Sequence, residues 1–394
     1  MPQPIIIVGG GPVGATLALL LAKQGLSVTV LEARSLGAAH SESRALALSF
    51  GSRRILEKLG LWGALSTQAT PINSIHVSQK GSLGRTQLHA NDYHQQALGY
   101  VLSYGVLSAV LDRAIDDAKP LVNFIFEASA SNIAYAPSQA TVTYTHGGVA
   151  HNISSPLVVL ADGGRTLDEL AGLSRETKEY GHDALVTKVR AELPHHNVAY
   201  ERFTANGPIA LLPNGGEFDF SLVWTGEKSF ITPLLSLSDA DFLEKFHQQF
   251  GDRVGNFLSV EKRLSFPLKM AQLKPDAQQS EHLVVIGNAA QTMHPVAGQG
   301  FNVGLRDAES LAQYIASASA SASADELGSA NMLASYQASR KSDTKGGLLF
   351  TDFLVNLFSN DLVVLSALRG ASLGVFDVIQ PIKKYLVGKM SFGK

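Results

Sequence analysis

Three glycine-centred clusters carry the residue types from which this 394-residue chain could build chemistry. The first is Gly9-x-Gly11-x-x-Gly14, with Glu32 following 18 residues after Gly14. Gly9 suits a tight turn, Gly11 lets backbone amides approach a pyrophosphate, and Gly14 lets a helix pack closely on a strand. Pro12 and Val13 would open that helix, whose N-terminus offers free N–H groups and about half a positive charge to phosphates. Glu32 would accept hydrogen bonds from an adenosine ribose and repel a 2′-phosphate. The motif thus expects FAD or NAD and excludes NADP. The second cluster, Asp162-Gly163-Gly164, ends an apolar run; it suits either a ligand edge of an α/β sheet or a plain turn. The third runs from Gly287-Asn288 through His294-Pro295 to Gly298-Gln299-Gly300-Phe301-Asn302. Gly298 and Gly300 flank a helix start that would aim donors at an anionic ligand edge, such as that of a reduced flavin, and Asn288 can hydrogen-bond a ribityl hydroxyl.

These clusters need elements to hold them. Pro4 to Val8 reads as a buried strand, Val13 to Gln24 as a helix closed by Gly25, and Ser27 to Leu31 as a second strand ending in Glu32. Residues 1–22 carry no charge, but Gly9-Gly10-Gly11-Pro12 interrupts the apolar run and no basic region precedes it, against a signal peptide or membrane span. Leu157 to Ala161 and Leu283 to Ile286 read as further buried strands, and Asn302 to about Ala316 as a helix with Leu305, Ala308, Leu311, Ala312 and Ile315 on one face. The alternating Ser/Ala stretch from Ala316 to Ala324 reads as a surface loop.

Composition narrows the chemistry. There is no cysteine, which excludes disulfides, thiolate metal sites, iron–sulfur clusters and dithiol relays, so any redox work needs a borrowed cofactor. Net charge is −2 and charged residues make up 17%, leaving no electrostatic case for nucleic acid. No phosphate loop, zinc-protease pair or nucleophile elbow occurs. His195-His196 reads as an exposed loop rather than a metal site, and no metal is expected.

Taken together, the three clusters and their spacing resemble the single-component flavin aromatic hydroxylases of the 4-hydroxybenzoate hydroxylase type. Within these the chain is similar to the ubiquinone-biosynthesis hydroxylases, on their polyprenyl-methoxyphenol branch. Arg44–Ser49, Glu201–Thr204, Gly207–Pro213, Ser221–Trp224 and Ser265–Leu268 support the likeness, which spans roughly the first 340 residues. Asn288 stands where most of the superfamily has Asp, a departure shared with that branch. The resemblance implies an α/β fold: a Rossmann-like FAD-binding domain with an inserted, mainly antiparallel β-sheet substrate domain and C-terminal helices. It implies FAD pyrophosphate at Gly11 to Val13 and the adenosine ribose at Glu32, with Ala33 and Arg34 beside it. Arg44 would sit beside FAD and the substrate pocket, and Asp162 with Gly163 near the pyrophosphate. Gly287, Asn288, Gly298 and Gly300 to Asn302 would hold the ribityl chain and ring. His294 and Pro295 would form the inner wall where any catalytic contribution resides, His294 being the only titratable member and suited first to a structural role. The implied activity is hydroxylation of a polyprenyl phenol through a C4a-hydroperoxyflavin, with O₂ and NAD(P)H as co-reactants. Ser103 and Tyr104 replace an Arg or Gln common in the family. The run Asp162–Glu169 also departs from its pattern, so the mode of NAD(P)H contact is not legible.

The three clusters place a discontinuous cofactor domain at 1–70, 98–176 and 265–340. Strand-like pieces, Ile72–Val77, Ala184–Ala191, Ile209–Leu212 and Phe218–Trp224, place a substrate domain at 71–97 and 177–264. Residues 341–394 form an apolar tail around Leu348, Phe350, Phe353 and Phe358, interrupted by Asp352 and Asp361. It suits packing on the body, a homo-oligomer or biosynthetic-complex interface, or peripheral contact with the inner membrane of an otherwise cytoplasmic protein. Two rival functions follow from the same motifs: another flavoenzyme class, or a non-catalytic flavoprotein subunit. The two tryptophans, Trp62 and Trp224, form no Trp-x-Trp of the halogenase kind.

Overall fold

The computed structural model describes residues 4–82, 84–167, 173–274, 281–292, 299–321, 326–341, 343 and 387–388. One sheet is wholly parallel. It comprises β1 (Ile5–Val8), β2 (Val28–Leu31), β8 (Val122–Ile125), β12 (Val158–Leu160) and β19 (Leu283–Val285), in the order β19-β12-β1-β2-β8. β1, β2 and β12 are buried along their whole length, which is why they read as unbroken apolar runs. One face is covered by α1 (Pro12–Lys23), α4 (Tyr104–Asp117) and α7 (Gln299–Ser319), whose Leu17, Leu21, Leu107, Leu305 and Leu311 join Ile7 and Val159 in the core. The other face lies under a meander of β9 (Ser129–Ala136), β10 (Gln139–His146) and β11 (Val149–Ser155), which brings Ile133 and Val142 against Ile6 and Leu160.

A larger sheet has the order β20-β18-β13-β16-β15-β14-β5-β6. Its strands are β5 (Ser74–Gln79), β6 (Arg85–His89), β13 (Arg175–Ala191), β14 (Val198–Thr204), β15 (Gly207–Pro213), β16 (Asp219–Glu227), β18 (Leu264–Leu273) and β20 (Gln291–Thr292), with β17 (Phe257–Val260) also on β13. All pairs are antiparallel except β14 with β5. One face is sealed by α5 (Lys228–Leu234) and α6 (Asp239–Phe250): Trp224, Phe220, Phe242, Phe246 and Phe250 have no exposed surface. The opposite face meets a small sheet of β3 (Ala45–Ser49), β7 (Gly99–Ser103) and β4 (Thr70–Ile72), through Ala199 and Leu212 against Ile72, Val101 and Ala45. The helices α2 (Phe50–Lys58) and α3 (Trp62–Ser66) follow β3, and a further helix covers 330–341.

Several expectations change. The run Ile72–Val77 is not one strand: it divides at Asn73, Ile72 pairing with β7 and Ser74 onward with β14. Helix α7 continues through Ser319, with Ala318 buried, so the Ser/Ala stretch begins as helix, as the high propensity of Ala favours. Residues 322–325 lie outside the described residues. β18 pairs with β13, so 265–273 belong to the large sheet rather than to the parallel one. His195 is buried at 6% exposure against Phe220, its Nδ1 accepting from the Asn197 amide, rather than lying on an exposed loop.

Candidate functional site

The carboxyl ends of β1, β12, β2 and β19 lie along one edge of the parallel sheet. They therefore bring Gly9–Gly14, Asp162, Glu32 and Gly287 together from four distant stretches of chain. The glycines do the work their spacing suggests. Gly9 has φ +100°, and a Cβ there would stand 2.5 Å from the Asp162 backbone. A Cβ on Gly14 would meet the Gly9 carbonyl oxygen at 2.0 Å, so α1 packs directly on the turn. Gly11 differs: it is the N-cap of α1, and no protein atom comes nearer to an added Cβ than Tyr104 Oη at 3.8 Å. No side chain caps α1, so its first-turn amides remain for an anion.

Next to this turn is a small pocket lined by Gly10, Pro12, Glu32, Arg34, Ser108 and Phe126 among others. Glu32 is 5% exposed. Its carboxylate accepts from Gly10 N at 2.7 Å, and from Arg34 N and Nε at 2.9 Å. Burial alone would raise its pKa, but the hydrogen bonds and charge of Arg34 outweigh it and hold the group below its ordinary value. The same pairing holds Arg34 fully charged, with Nη1 donating to Tyr104 Oη at 3.3 Å. Arg44 pairs with Glu42 at 2.9 Å and lies 4.8 Å over the Tyr104 ring, so Tyr104 touches both arginines. Ala33 is exposed beside them.

Asp162 lies where expected, but its carboxylate is engaged in its own turn. It accepts from Gly164 N, Thr166 N and Thr166 Oγ1, each at 2.8 Å, and the backbone of Ala161 and Asp162 lies against Gly9. Asn288 is exposed, and its carbonyl accepts from Thr292 Oγ1 at 3.2 Å. Gly287, at φ +63°, lies over Val13. Gly300, Phe301 and Asn302 occupy the first turn of α7. The Asn302 amide is engaged within the protein: Oδ1 accepts from Ser49 N at 2.8 Å and Ser52 Oγ at 2.7 Å, and Nδ2 donates to Ala47 O at 2.9 Å. Its side chain therefore ties α7 to β3 and α2. His294, Pro295 and Gly298 lie outside the described residues. Among the described residues no cluster of acids and histidines could hold a metal ion.

Three contributors escape a reading of the sequence. Tyr104 stands out there only as a departure from a family pattern. Gly304, whose Cβ would lie 2.8 Å from Val13 Cγ2, lets α7 cross α1 behind the glycine turn, but looks like any helical glycine. Asp307 accepts from Gly287 N at 3.2 Å and from Arg340 Nε at 2.7 Å, joining the third cluster to the helix over 330–341 through partners far along the chain.

The FAD binding domain family matches residues 3–345. The chain belongs to that family. It is 34% identical over 388 residues to the ubiquinone hydroxylase UbiL of Rhodospirillum rubrum, covering 96% of this chain and 87% of that one. It is also 29% identical to the 3-demethoxyubiquinol 3-hydroxylase of Escherichia coli, over 94% of each. Among solved structures, p-nitrophenol 4-monooxygenase PnpA of Pseudomonas putida superposes with a TM-score of 0.77 at 17% identity, covering 99% of this chain and 97% of that one, a likeness of fold. The chain is thus an FAD-dependent monooxygenase of the aromatic hydroxylase class, as the three clusters imply, and FAD is its cofactor. No helix among the described residues is long and apolar enough to cross a membrane.

Proposed function

We propose that this enzyme hydroxylates the aromatic ring of a polyprenyl phenol in ubiquinone biosynthesis, using O₂ and NAD(P)H. The observation that carries the reading is the meeting of the three glycine clusters on one sheet edge, with the apolar side of a second sheet turned towards the first turn of α7. Bound FAD would supply the electron transfer and oxygen activation that no side chain here provides.

The protein's own part is to bind, orient and dry the site. The turn Gly11–Val13 would take the pyrophosphate on the N–H groups of Gly11 and Val13, Pro12 having none, Glu32 with Arg34 the adenosine end, and Asn288 with the Gly300–Phe301 backbone the ribityl and ring end. Because Asn302 locks that first turn of α7 to β3, the backbone donors of Gly300 and Phe301 keep a fixed direction. Met270 of β18 packs against Val303, so the large sheet meets the same turn, where it would help to keep water from a bound ring. We assign 1–70, 98–176 and the stretch after 281 to holding FAD, and the large sheet through Leu273 to holding the phenol. Residues 341–394, by their apolar composition, are assigned to meeting the membrane or the partner that presents a lipophilic substrate.

The test begins with an absorbance scan of the purified protein for bound flavin. Wild type supplied with a polyprenyl phenol, NADH or NADPH, and O₂ should then yield a product heavier by one oxygen. Reductant oxidation that yields only peroxide for every phenol tried would count against hydroxylation.

A further inference from the structure

Basic side chains gather at one end of the large sheet. Register sets Arg85 on β6, Ser78 on β5 and Arg202 on β14 abreast, and the next row on the same side holds Gln87, His76 and Tyr200. These rows face the end of α6. Tyr200 meets the Phe250 ring at 5.6 Å between centroids, and Arg202 donates from Nε to the Gln249 carbonyl at 3.2 Å and from Nη1 to Ser78 Oγ at 3.3 Å. Arg253, three residues past α6, donates from Nη1 to the Phe250 carbonyl at 3.3 Å. Ala199, which alternates with Tyr200 on β14, packs against Val101 on the opposite side, so the basic rows face away from the FAD-holding body.

Among the described residues no carboxylate forms an ion pair with Arg85, Arg202 or Arg253. Asp252, beside Arg253 in the chain, is held by His247 Nε2 at 2.8 Å. Lys80 adds a further positive charge and donates to Gln249 Oε1 at 2.9 Å. His76 is 8% exposed, and its Nδ1 is buried with no hydrogen-bond partner. Burial first, and then the charges of Arg253, Arg85 and Arg202, hold its pKa below the ordinary 6.5, so all three guanidiniums act on this one ring. Burial and the neighbouring Arg253 likewise bring Arg202 down to about 10. Like charges held together over an unpaired buried nitrogen are destabilising, and a bound anion would offset both effects.

We propose that Arg85, Arg202, Arg253 and His76 form a binding site for a phosphate group, on the side of the large sheet away from FAD. Guanidinium N–H groups match phosphate oxygens in both spacing and charge, and an imidazole nitrogen that carries its proton donates to the same oxygens. Ser78 and the Gln249 carbonyl fix the plane of Arg202, while Arg85 makes no hydrogen bond among the described residues and keeps its donors for a ligand. β6 is the last strand of the sheet, and Arg85 and Arg253 are exposed. The site is therefore open both to a small soluble phosphate compound and to a phospholipid headgroup at a bilayer surface. It takes no part in the hydroxylation, and it stands whether or not the substrate is a polyprenyl phenol.

The test uses the FAD-loaded full chain as wild type, Arg85→Gln and Arg253→Gln, with Lys228→Gln as a control for loss of a surface charge elsewhere on this side. One arm titrates inorganic phosphate and pyrophosphate by calorimetry, against chloride at matched ionic strength. The other sediments the protein with phosphatidylcholine vesicles, with and without phosphatidylglycerol. Each arginine variant should weaken binding roughly tenfold or more, while Lys228→Gln binds as wild type does. Without phosphate, Arg85→Gln should melt no lower than wild type, because a repulsive charge has gone; a lower midpoint would mark Arg85 as a structural group and count against the site. Arginine-dependent binding of the free anions identifies a soluble phosphate compound as the ligand's source. Arginine-dependent sedimentation with phosphatidylglycerol alone identifies a lipid headgroup. Binding in neither arm, binding that survives both arginine substitutions, or binding that falls equally in Lys228→Gln overturns the inference.

Discussion

At Gly14 a side chain has no room, whereas at Gly11 it has room in the protein but would stand where a ligand's phosphates belong. Gly14→Ala forces its Cβ to within 2.0 Å of the Gly9 carbonyl, so α1 must move; we expect a loss of about 1–3 kcal/mol in stability together with loss of flavin. Gly11→Ala finds nothing nearer than 3.8 Å, so the thermal midpoint of the flavin-free protein should be unchanged while FAD affinity drops by on the order of tenfold to a hundredfold. Thermal melts paired with flavin titration separate the two, and equal loss of stability in both variants would refute the assignment. Glu201 makes a prediction of the opposite sign. Its carboxyl, ordinarily near 4.5, is raised to about 8, so the protonated group's contribution to stability is complete below 4.5 and is lost as pH rises through 8. The wild-type melting temperature should therefore fall across that window relative to Glu201→Gln, which carries no charge to bury. Superimposable pH–stability curves for the two proteins would mean that Glu201 is well solvated.

Phe246 stands at the centre of the aromatic layer that fastens α6 to the large sheet, 4.3 Å from Phe257 and 5.7 Å from Trp224 between ring centroids. Phe246→Ala should lower stability by about 3–5 kcal/mol in a denaturant titration. FAD content should stay intact below the transition, because the layer lies on the face turned away from the parallel sheet. Elements whose cause is local were legible in the sequence. The apolar runs of β1, β2, β12 and β19 and the helix after Gly11 required only period and turn chemistry. Elements decided by distant partners were not. Asn73 splits β4 from β5 because Ile72 is claimed by β7 and Ser74 by β14, and a window of neighbouring residues carries no trace of that competition. The polar first half of β13, from Arg175, is a strand because β18 pairs with it. The site divides the same way. The three glycine turns were readable, but the direction of the Asn302 amide and the side of the sheet on which Glu201 lies depend on register across non-adjacent segments.

The molecule as a whole is joined by one buried chain of charge. Asp343 accepts from Arg306 Nε at 2.7 Å and Nη2 at 3.0 Å, and from Arg340 Nη2 at 2.6 Å. Arg340 continues to Asp307, and Asp307 to the Gly287 amide of the cofactor segment. These side chains are 4–14% exposed, where removing one partner leaves an uncompensated buried charge. Burial alone would raise the Asp343 pKa, but the hydrogen bonds and charges of Arg306 and Arg340 hold it below its ordinary 3.8. The stability it contributes is therefore present above 3.8 and is lost as pH falls through the lower folded value. Asp343→Ala should cost about 3–5 kcal/mol near neutral pH, and its stability should fall less steeply than wild type on acidification below about pH 4. Because the chain ends on Gly287, the variant should also release flavin at a lower temperature, a readout distinct from global unfolding when flavin fluorescence and circular dichroism are followed in one melt. Flavin release that tracks unfolding in both proteins would mean that the network braces α7 and the 330–341 helix without reaching the cofactor segment. Release ahead of unfolding in the variant alone would show that residues after 340 help set FAD affinity, although the three glycine clusters all precede them.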